Sequence, residues 1–284
     1  MRIVRRDGGR YAGGVTSPHD CPPSPVVRPH PVLPRYYRSE ELRRPFIKRV
    51  FDDAAAHYDR LENLMSLGAG RWYRRQALKR AGLRNGMRVL DVAVGTGLVA
   101  REALGIVGDD GCVIGVDPSA GMLSRAASAL HIPLVRGRAE ELPFAGNSFD
   151  FLSMGYALRH VSDLTETLRQ FISVLRPGGR LLMLEITAPR HRLRRALMGD
   201  YVRRLVPMVS RLLSPGSGRE NPRADKLLLD YYWDTVTECV EPSKVIESMT
   251  AAGLSHTHWW AEFGVFSEYT AVKPGGPASP EVRP

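Results

Sequence analysis

The sequence predicts an α/β protein built on an open, mostly parallel sheet, and three observations carry that expectation. Short apolar runs alternate with amphipathic segments of roughly 10–13 residues from residue 88 onward, the pattern of a parallel sheet with helical crossovers. A glycine-bearing turn, Gly95-Thr96-Gly97, directly follows the first run and opens a helix. The 284 residues, 43% hydrophobic and 25% charged, suffice to bury a sizeable core.

Ser39 followed by Glu40 and Glu41 predicts a helix start, with acids at the positive end of the dipole. Phe46, Val50, Ala54 and Tyr58 recur every four positions, and the pattern continues to Leu61 as one amphipathic helix. A second helix is expected over 70–81. Residues 88–92 read as the first strand, followed by a helix to about Ile106. Residues 112–116 form a second strand ending at Asp117, and Pro118-Ser119 caps a helix to Leu130. Strands follow at 132–135 and 149–154. Asp163 and Glu166 have capping-box spacing ahead of Leu164, Leu168, Phe171, Ile172 and Leu175, and Pro177-Gly178-Gly179 stops that helix. A buried strand runs from Arg180 to Ile186. Residues 190–213 are helical with a break at Pro207, 242–252 is a further helix, and 255–261 with 264–272 close the chain as a strand pair. Residues 1–38 hold seven prolines and no apolar periodicity, so they read as disordered and dispensable for activity. Residues 274–284 read as a similarly loose tail.

Composition excludes several classes. No apolar run approaches the ~18 residues that a membrane-spanning helix requires. Cys21, Cys112 and Cys239 lie far apart, which excludes a disulfide scaffold and a cysteine-based zinc site and suits a reducing cytoplasm. The net charge of +10 is uneven. Residues 1–50 carry +7 and residues 190–211 carry +6, so the remaining body is mildly acidic. A protein that tracks phosphates would carry its charge on the body, so nucleic acid is not the expected partner.

Taken alone, the Gly95-Thr96-Gly97 turn with Ala100 fits either a dinucleotide or S-adenosylmethionine (SAM). Asp117, ending the second strand, suits the ribose hydroxyls of both. Asp91 discriminates. A carboxylate at the end of the first strand repels a diphosphate but attracts the ammonium group of SAM. The alternative is that Asp91 merely caps the glycine turn.

Residues 89–97 (Val-Leu-Asp-Val-Ala-Val-Gly-Thr-Gly) resemble motif I of class I SAM-dependent methyltransferases. Further segments resemble the ubiquinone/menaquinone C-methyltransferase (UbiE-like) family. These are Val50-Phe51 through Tyr58-Asp59, Asn63 to Gly68, Ala139 to Phe144, Leu158-Arg159, and Val174 to Arg180. The resemblance covers roughly residues 46–272. It implies a Rossmann-like, seven-stranded, mostly parallel sheet with helices on both faces and an antiparallel C-terminal strand. The methyltransferase domain would span 39–273, with cap helices at 39–81 and a helical insertion at 190–240 over the acceptor pocket. It also implies that Asp91, Ala93, Gly95, Thr96 and Gly97 form the cofactor turn and that Asp117 holds the ribose. Arg138 and Ala139 would lie beside the adenine, Gly155 would end the fourth strand at the site, and Tyr58 would cover the cofactor. For Tyr58 the alternative is a core aromatic. Four positions depart from the family pattern: Arg138 stands for Asn or Asp, Gly155 for Ser, Val94 for a second motif glycine, and His160 for the usual Asn after Arg159.

On the acceptor side, Arg159 is expected to stabilise a phenolate and His160 to take a proton. The alternatives are a structural ion pair for Arg159 and a capping role for His160. No metal is required. The expected reaction is methylation of a lipophilic hydroxylated aromatic, most simply at a quinol ring carbon. Oxygen or nitrogen methylation in another pathway and a non-catalytic SAM-binding scaffold are the alternatives. Residues 190–213 set Leu193, Leu197, Tyr201, Leu205 and Met208 on one stripe with seven arginines largely elsewhere. Such a helix can rest on the anionic face of the inner membrane, or can pack over the acceptor pocket with a solvated basic face. A homodimer is also compatible with the chain.

Overall fold

The computed structural model describes residues 26–213 and 222–275. Its centre is a seven-stranded sheet of β1 (Arg88–Val92), β2 (Cys112–Asp117), β3 (Leu134–Arg136), β4 (Phe149–Gly155), β5 (Leu175–Ile186), β6 (Ser255–Glu262) and β7 (Phe266–Val272), in the order β3-β2-β1-β4-β5-β7-β6. The first five strands are parallel, and β7 runs antiparallel between β5 and β6. Chain direction across the sheet reverses between β1 and β4. The crevice outside the carboxyl ends of those two strands is therefore where a ligand binds in such a fold.

Side-chain alternation divides the core into two layers. Leu90, Leu152, Met154, Leu181 and Met183 face α6 (Leu164–Val174) and α10 (Pro242–Ala251). Val89, Phe151, Leu182 and Leu184 face α3 (Gly70–Arg80) and α4 (Leu98–Val107). The helix α5 (Ala120–Ala129) begins where Ser119 Oγ accepts from Met122 N, and α6 begins where Asp163 Oδ1 accepts from Thr165 N and Glu166 N. Both caps match the sequence expectation. A third core joins α1 (Glu40–Ala54) and α2 (Tyr58–Met65) to α9 (Pro222–Glu238). It also takes in the segment formed by α7 (Arg192–Asp200), a π-helical turn (Tyr201–Leu205) and α8 (Val206–Leu212).

The structure corrects three expectations. The four-residue periodicity from Phe46 to Leu61 spans two helices, because the chain turns at Ala55–His57. That turn sends Asp52 to the start of α5 and Asp59 to the glycine turn. The helix α6 ends at Val174, ahead of the Pro-Gly-Gly, because Arg176 precedes a proline and is steered into extended backbone; β5 begins at once at Leu175. The third correction concerns residues 26–38, expected to be disordered. They lie against the body, with Leu33 and Tyr37 buried. Val27 O accepts from Leu164 N at 2.9 Å and Pro29 O from Val240 N at 2.7 Å. Prolines remove donors but leave carbonyls, and this segment uses them to accept. Residues 1–25 and 276–284 lie outside the described residues.

Candidate active site

Five polar or glycine positions meet at the carboxyl ends of β1 and β2. Beyond Val92 the chain enters left-handed backbone at Ala93 (φ 55°), again at Gly95 (φ 55°) and at Gly97 (φ 91°). Gly97 is doubly constrained, since a Cβ there would lie 2.5 Å from Leu130 Cδ1. The turn aims Gly95 N at Asp117 Oδ2 (2.9 Å), while Ser119 N donates to Asp117 Oδ1 (2.8 Å). Burial nevertheless pushes the Asp117 carboxyl up to about 6. Asp91 is more deeply buried. Ser153 Oγ on β4 donates to its Oδ1 at 2.6 Å, its Oδ2 has no hydrogen-bond partner among the described residues, and burial pushes its carboxyl up to about 7.

The cap helices close over this turn. Thr96 Oγ1 donates to Asp59 Oδ1 at 2.5 Å, and Asp52 Oδ1 accepts from Ser119 Oγ and from Gly121 N at 3.1 Å. Gly155 departs from serine for a steric reason: a Cβ there would lie 2.6 Å from Val99 Cγ2. Val94 is accommodated by Gly115 on β2, where a Cβ would lie 2.9 Å from Val94 Cγ2. Arg138 forms a surface ion pair with Glu141 at 2.8 Å, and Ala139 packs against the core.

The acceptor side differs from expectation. Arg159 is fully buried and ion-paired with Glu185 on β5, and its guanidinium lies 4.4 Å from the centre of the Tyr232 ring. Its charge is thus already matched, which is the structural ion-pair arrangement rather than a free phenolate clamp. The Arg159 carbonyl accepts from Arg43 Nη2 (3.0 Å), which also donates to His30 Nε2 (3.0 Å). With His30 Nδ1 bonded to Pro31 O (2.7 Å), His30 is neutral, and burial holds it down at about 4. His160 stacks on Tyr231 (ring centres 5.5 Å apart) and meets Phe51 edge-on (5.1 Å). Burial and the nearby Arg159, His30 and Arg43 hold its basicity well below the ordinary histidine value. The proton acceptance expected of His160 from sequence is therefore displaced to lower pH.

A cavity opens along the cap helix α2, whose Asp59 accepts from Thr96 of the glycine turn. Tyr58, Glu62, Met65 and Ser66 line it from α2, Tyr156 from the end of β4, Ile186 from β5, and Met198, Tyr201 and Val202 from the α7 region. Tyr232, Val265 and Phe266 complete it; neither Arg159 nor His160 lines it. Tyr156 holds left-handed backbone (φ 58°), a costly conformation for a bulky residue that marks functional sites. Tyr58, expected over the cofactor, faces this cavity. Sequence reasoning missed Glu185, although a lone carboxylate inside the apolar run Leu181–Ile186 was a usable signal. It also missed Glu62, Tyr156 and Tyr232, which carry no local signature.

The residues at the turn fit SAM. The unpartnered, buried Asp91 Oδ2 suits an ammonium group, Asp117 keeps lone pairs for ribose hydroxyls, and a Cβ at Gly95 would meet nothing closer than Ala93 O at 4.0 Å, so backbone can approach a ligand there. SAM supplies an electrophilic methyl group when bound. Sheet order, switch point and turn together define a class I SAM-dependent methyltransferase. Residues 38–219 match the model of the ubiE/COQ5 methyltransferase family, and the chain belongs to that family. It is 34% identical over 205 residues to the ubiquinone/menaquinone biosynthesis C-methyltransferase UbiE of Pseudoalteromonas translucida (70% of this chain, 82% of that one). It is 32% identical over 233 residues to the demethylmenaquinone methyltransferase of Corynebacterium efficiens (81% and 96%). Among solved structures, a SAM-dependent methyltransferase from Aquifex aeolicus shares the fold at TM-score 0.51 and 18% identity (70% and 88%). The SAM complex of phosphoethanolamine N-methyltransferase 2 from Haemonchus contortus does so at TM-score 0.51 and 18% identity (72% and 53%).

The Asp91 geometry makes a pH prediction. Its carboxyl is raised from about 3.9 to about 7, so the folded, ligand-free chain holds that proton more tightly than the unfolded chain. Stability of the free protein should therefore fall as pH rises through that interval. A cationic ligand favours the carboxylate, so affinity for S-adenosylhomocysteine, which keeps the ammonium, should weaken as pH falls below about 7. The Asp117 titration steepens the loss below about 6. Asp91→Asn should remove the upper limb and weaken binding by about 1.5–3 kcal/mol. Titration calorimetry at several pH values is the check; a flat wild-type profile would sink the assignment.

Proposed function

We propose that the chain transfers the methyl group of SAM to a ring carbon of a lipophilic hydroquinone. The observation that carries this reading is the cavity between α2, the carboxyl ends of β4 and β5, and the α7 region. Apolar side chains form most of its wall, and Tyr58, Tyr156, Tyr201 and Tyr232 bring hydroxyls able to hydrogen-bond a hydroxylated ring. Methyl transfer from a sulfonium is an in-line displacement, so the wall mainly orients the acceptor and excludes water. As closed in this structure the cavity holds about 60 Å³. That is well short of the ~150 Å³ that accommodates a benzene, so the acceptor enters by displacing lining side chains. The printed names of the relatives above agree with a quinone acceptor.

The outer face of α7–α8 supports a membrane route for such a substrate. Leu193, Leu197, Leu205, Met208, Leu212 and Leu213 are exposed there, while Val202 and Val206 face inward. Arginines border the patch, and Arg192, Arg195, Arg203 and Arg204 line an open cleft with Trp233. Apolar residues rimmed by arginine suit the surface of an anionic bilayer. No helix among the described residues is long and apolar enough to cross a membrane.

One experiment covers both points. The purified protein is given SAM and a prenylated hydroquinone, kept reduced, in either anionic or neutral vesicles. A new aryl C-methyl group, formed faster on anionic vesicles and slowed by Leu197→Glu with Leu212→Glu, is the expected result. A methyl on oxygen would overturn carbon methylation, and equal rates on both vesicles would overturn the membrane route.

A further inference from the structure

We propose that Glu62 is the catalytic base that removes the ring proton during methyl transfer, with Arg74 as its positioning residue. The inference rests on the carbon-methylation reading above and names the group that reading still lacks. Carbon methylation forms the new C–C bond from a ring π pair as the methyl–sulfur pair leaves with sulfur. The ring carbon then carries both a methyl and a hydrogen. Its C–H pair must return to the ring, and its proton must go to a base in the cavity.

The groups around the cavity leave one candidate. Arg159 is cationic and matched by Glu185, and His160 lies outside the lining with its protonated form disfavoured. Burial raises Tyr58 to about 12 and pushes Tyr156 and Tyr232 up as well, so these phenols stay protonated and hydrogen-bond rather than accept. Among the described residues, Glu62 is the only carboxylate on the cavity wall. Its negative charge adds to the upward shift of all three tyrosines, which places it electrostatically among them.

The position is built. Arg74, itself buried, donates from Nη1 to Glu62 Oε1 at 2.6 Å, fixing one oxygen so that the other is available to a ligand. Gly70 leaves the space for that pair: a Cβ there would lie 2.5 Å from Glu62 Oε1 and 3.0 Å from Arg74 Nη1. A carboxylate oriented by an arginine can accept this proton, because a methylated ring cation is a far stronger acid than a carboxyl group.

The test compares wild type, Glu62→Gln and Glu62→Asp with ring-protonated and ring-deuterated hydroquinone. Affinity for S-adenosylhomocysteine and melting temperature are measured alongside. Glutamine keeps the acceptor for Arg74 but cannot take a proton. Turnover of Glu62→Gln should fall by about 10²–10⁴-fold, the usual range for losing a general base. A primary deuterium isotope effect absent from wild type should appear, while homocysteine-product affinity and melting temperature stay at wild-type values. Glu62→Asp, which retains a withdrawn carboxylate, should recover part of the rate. Wild-type turnover in Glu62→Gln, or loss of turnover without an isotope effect, would overturn the base. So would loss of product affinity in step with turnover in both variants, the mark of a structural role. If wild type itself leaves the ring carbon unmethylated, the functional reading fails first, and the base with it.

Discussion

Arg159→Ala is expected to cost about 3–5 kcal/mol of stability, because it strands the Glu185 carboxylate in the core. Both side chains are almost wholly buried. The guanidinium also lies over Tyr232, so the cavity wall loses its backing in the same step. Chemical denaturation should show a lowered midpoint with an unchanged slope. The double variant Arg159→Met with Glu185→Leu should recover most of the loss, since it removes both buried charges and keeps volume. A single variant that lost turnover at an unchanged midpoint would instead return Arg159 to the role expected from sequence, a direct stabiliser of the acceptor.

The second large effect concerns the segment ahead of α1. A chain beginning at residue 39 should be less stable than one beginning at residue 26 by about 5 kcal/mol or more. Leu33 and Tyr37 are buried, and each such side chain contributes about 1.5–3 kcal/mol. The shorter chain also leaves Arg43, which is fully buried, without the His30 acceptor, and Leu164 N and Val240 N without the carbonyls of Val27 and Pro29. Thermal melts of the two chains give the comparison. Equal melting temperatures would restore the expectation that all of 1–38 is dispensable.

These two regions mark where the sequence was and was not legible. Strand positions came from apolar runs and turn residues, and β1, β2 and β4 lie within a residue or two of expectation. The cofactor turn was legible because its chemistry is local: Asp91, Gly95, Gly97 and Asp117 act through their own backbone or one strand neighbour. The acceptor side was not, because each residue there is defined by a partner distant in sequence. Arg159 reads as a free cation until Glu185 is placed beside it. His160 reads as a neutral-pH base until the fold buries it and brings the charge of Arg159 and, more weakly, His30 and Arg43 to bear on it. Proline-rich composition hid residues 26–38, because a segment that docks through carbonyls and scattered apolar side chains shows no periodicity.

The placement of β7 has a consequence for how the chain is made. Strand β5 emerges about 80 residues ahead of β7, the neighbour that covers its open edge. At ordinary translation speeds that edge stays bare for roughly ten seconds while α7 to β6 are still being added. The stretch that β7 later pairs, Arg180–Ile186, is an apolar ribbon with one charge near each end, Arg180 and Glu185. The carboxylate that later anchors Arg159 thus stands, on the nascent chain, as a gatekeeper at one end of that ribbon against sticking to a neighbouring one, with Arg180 at the other.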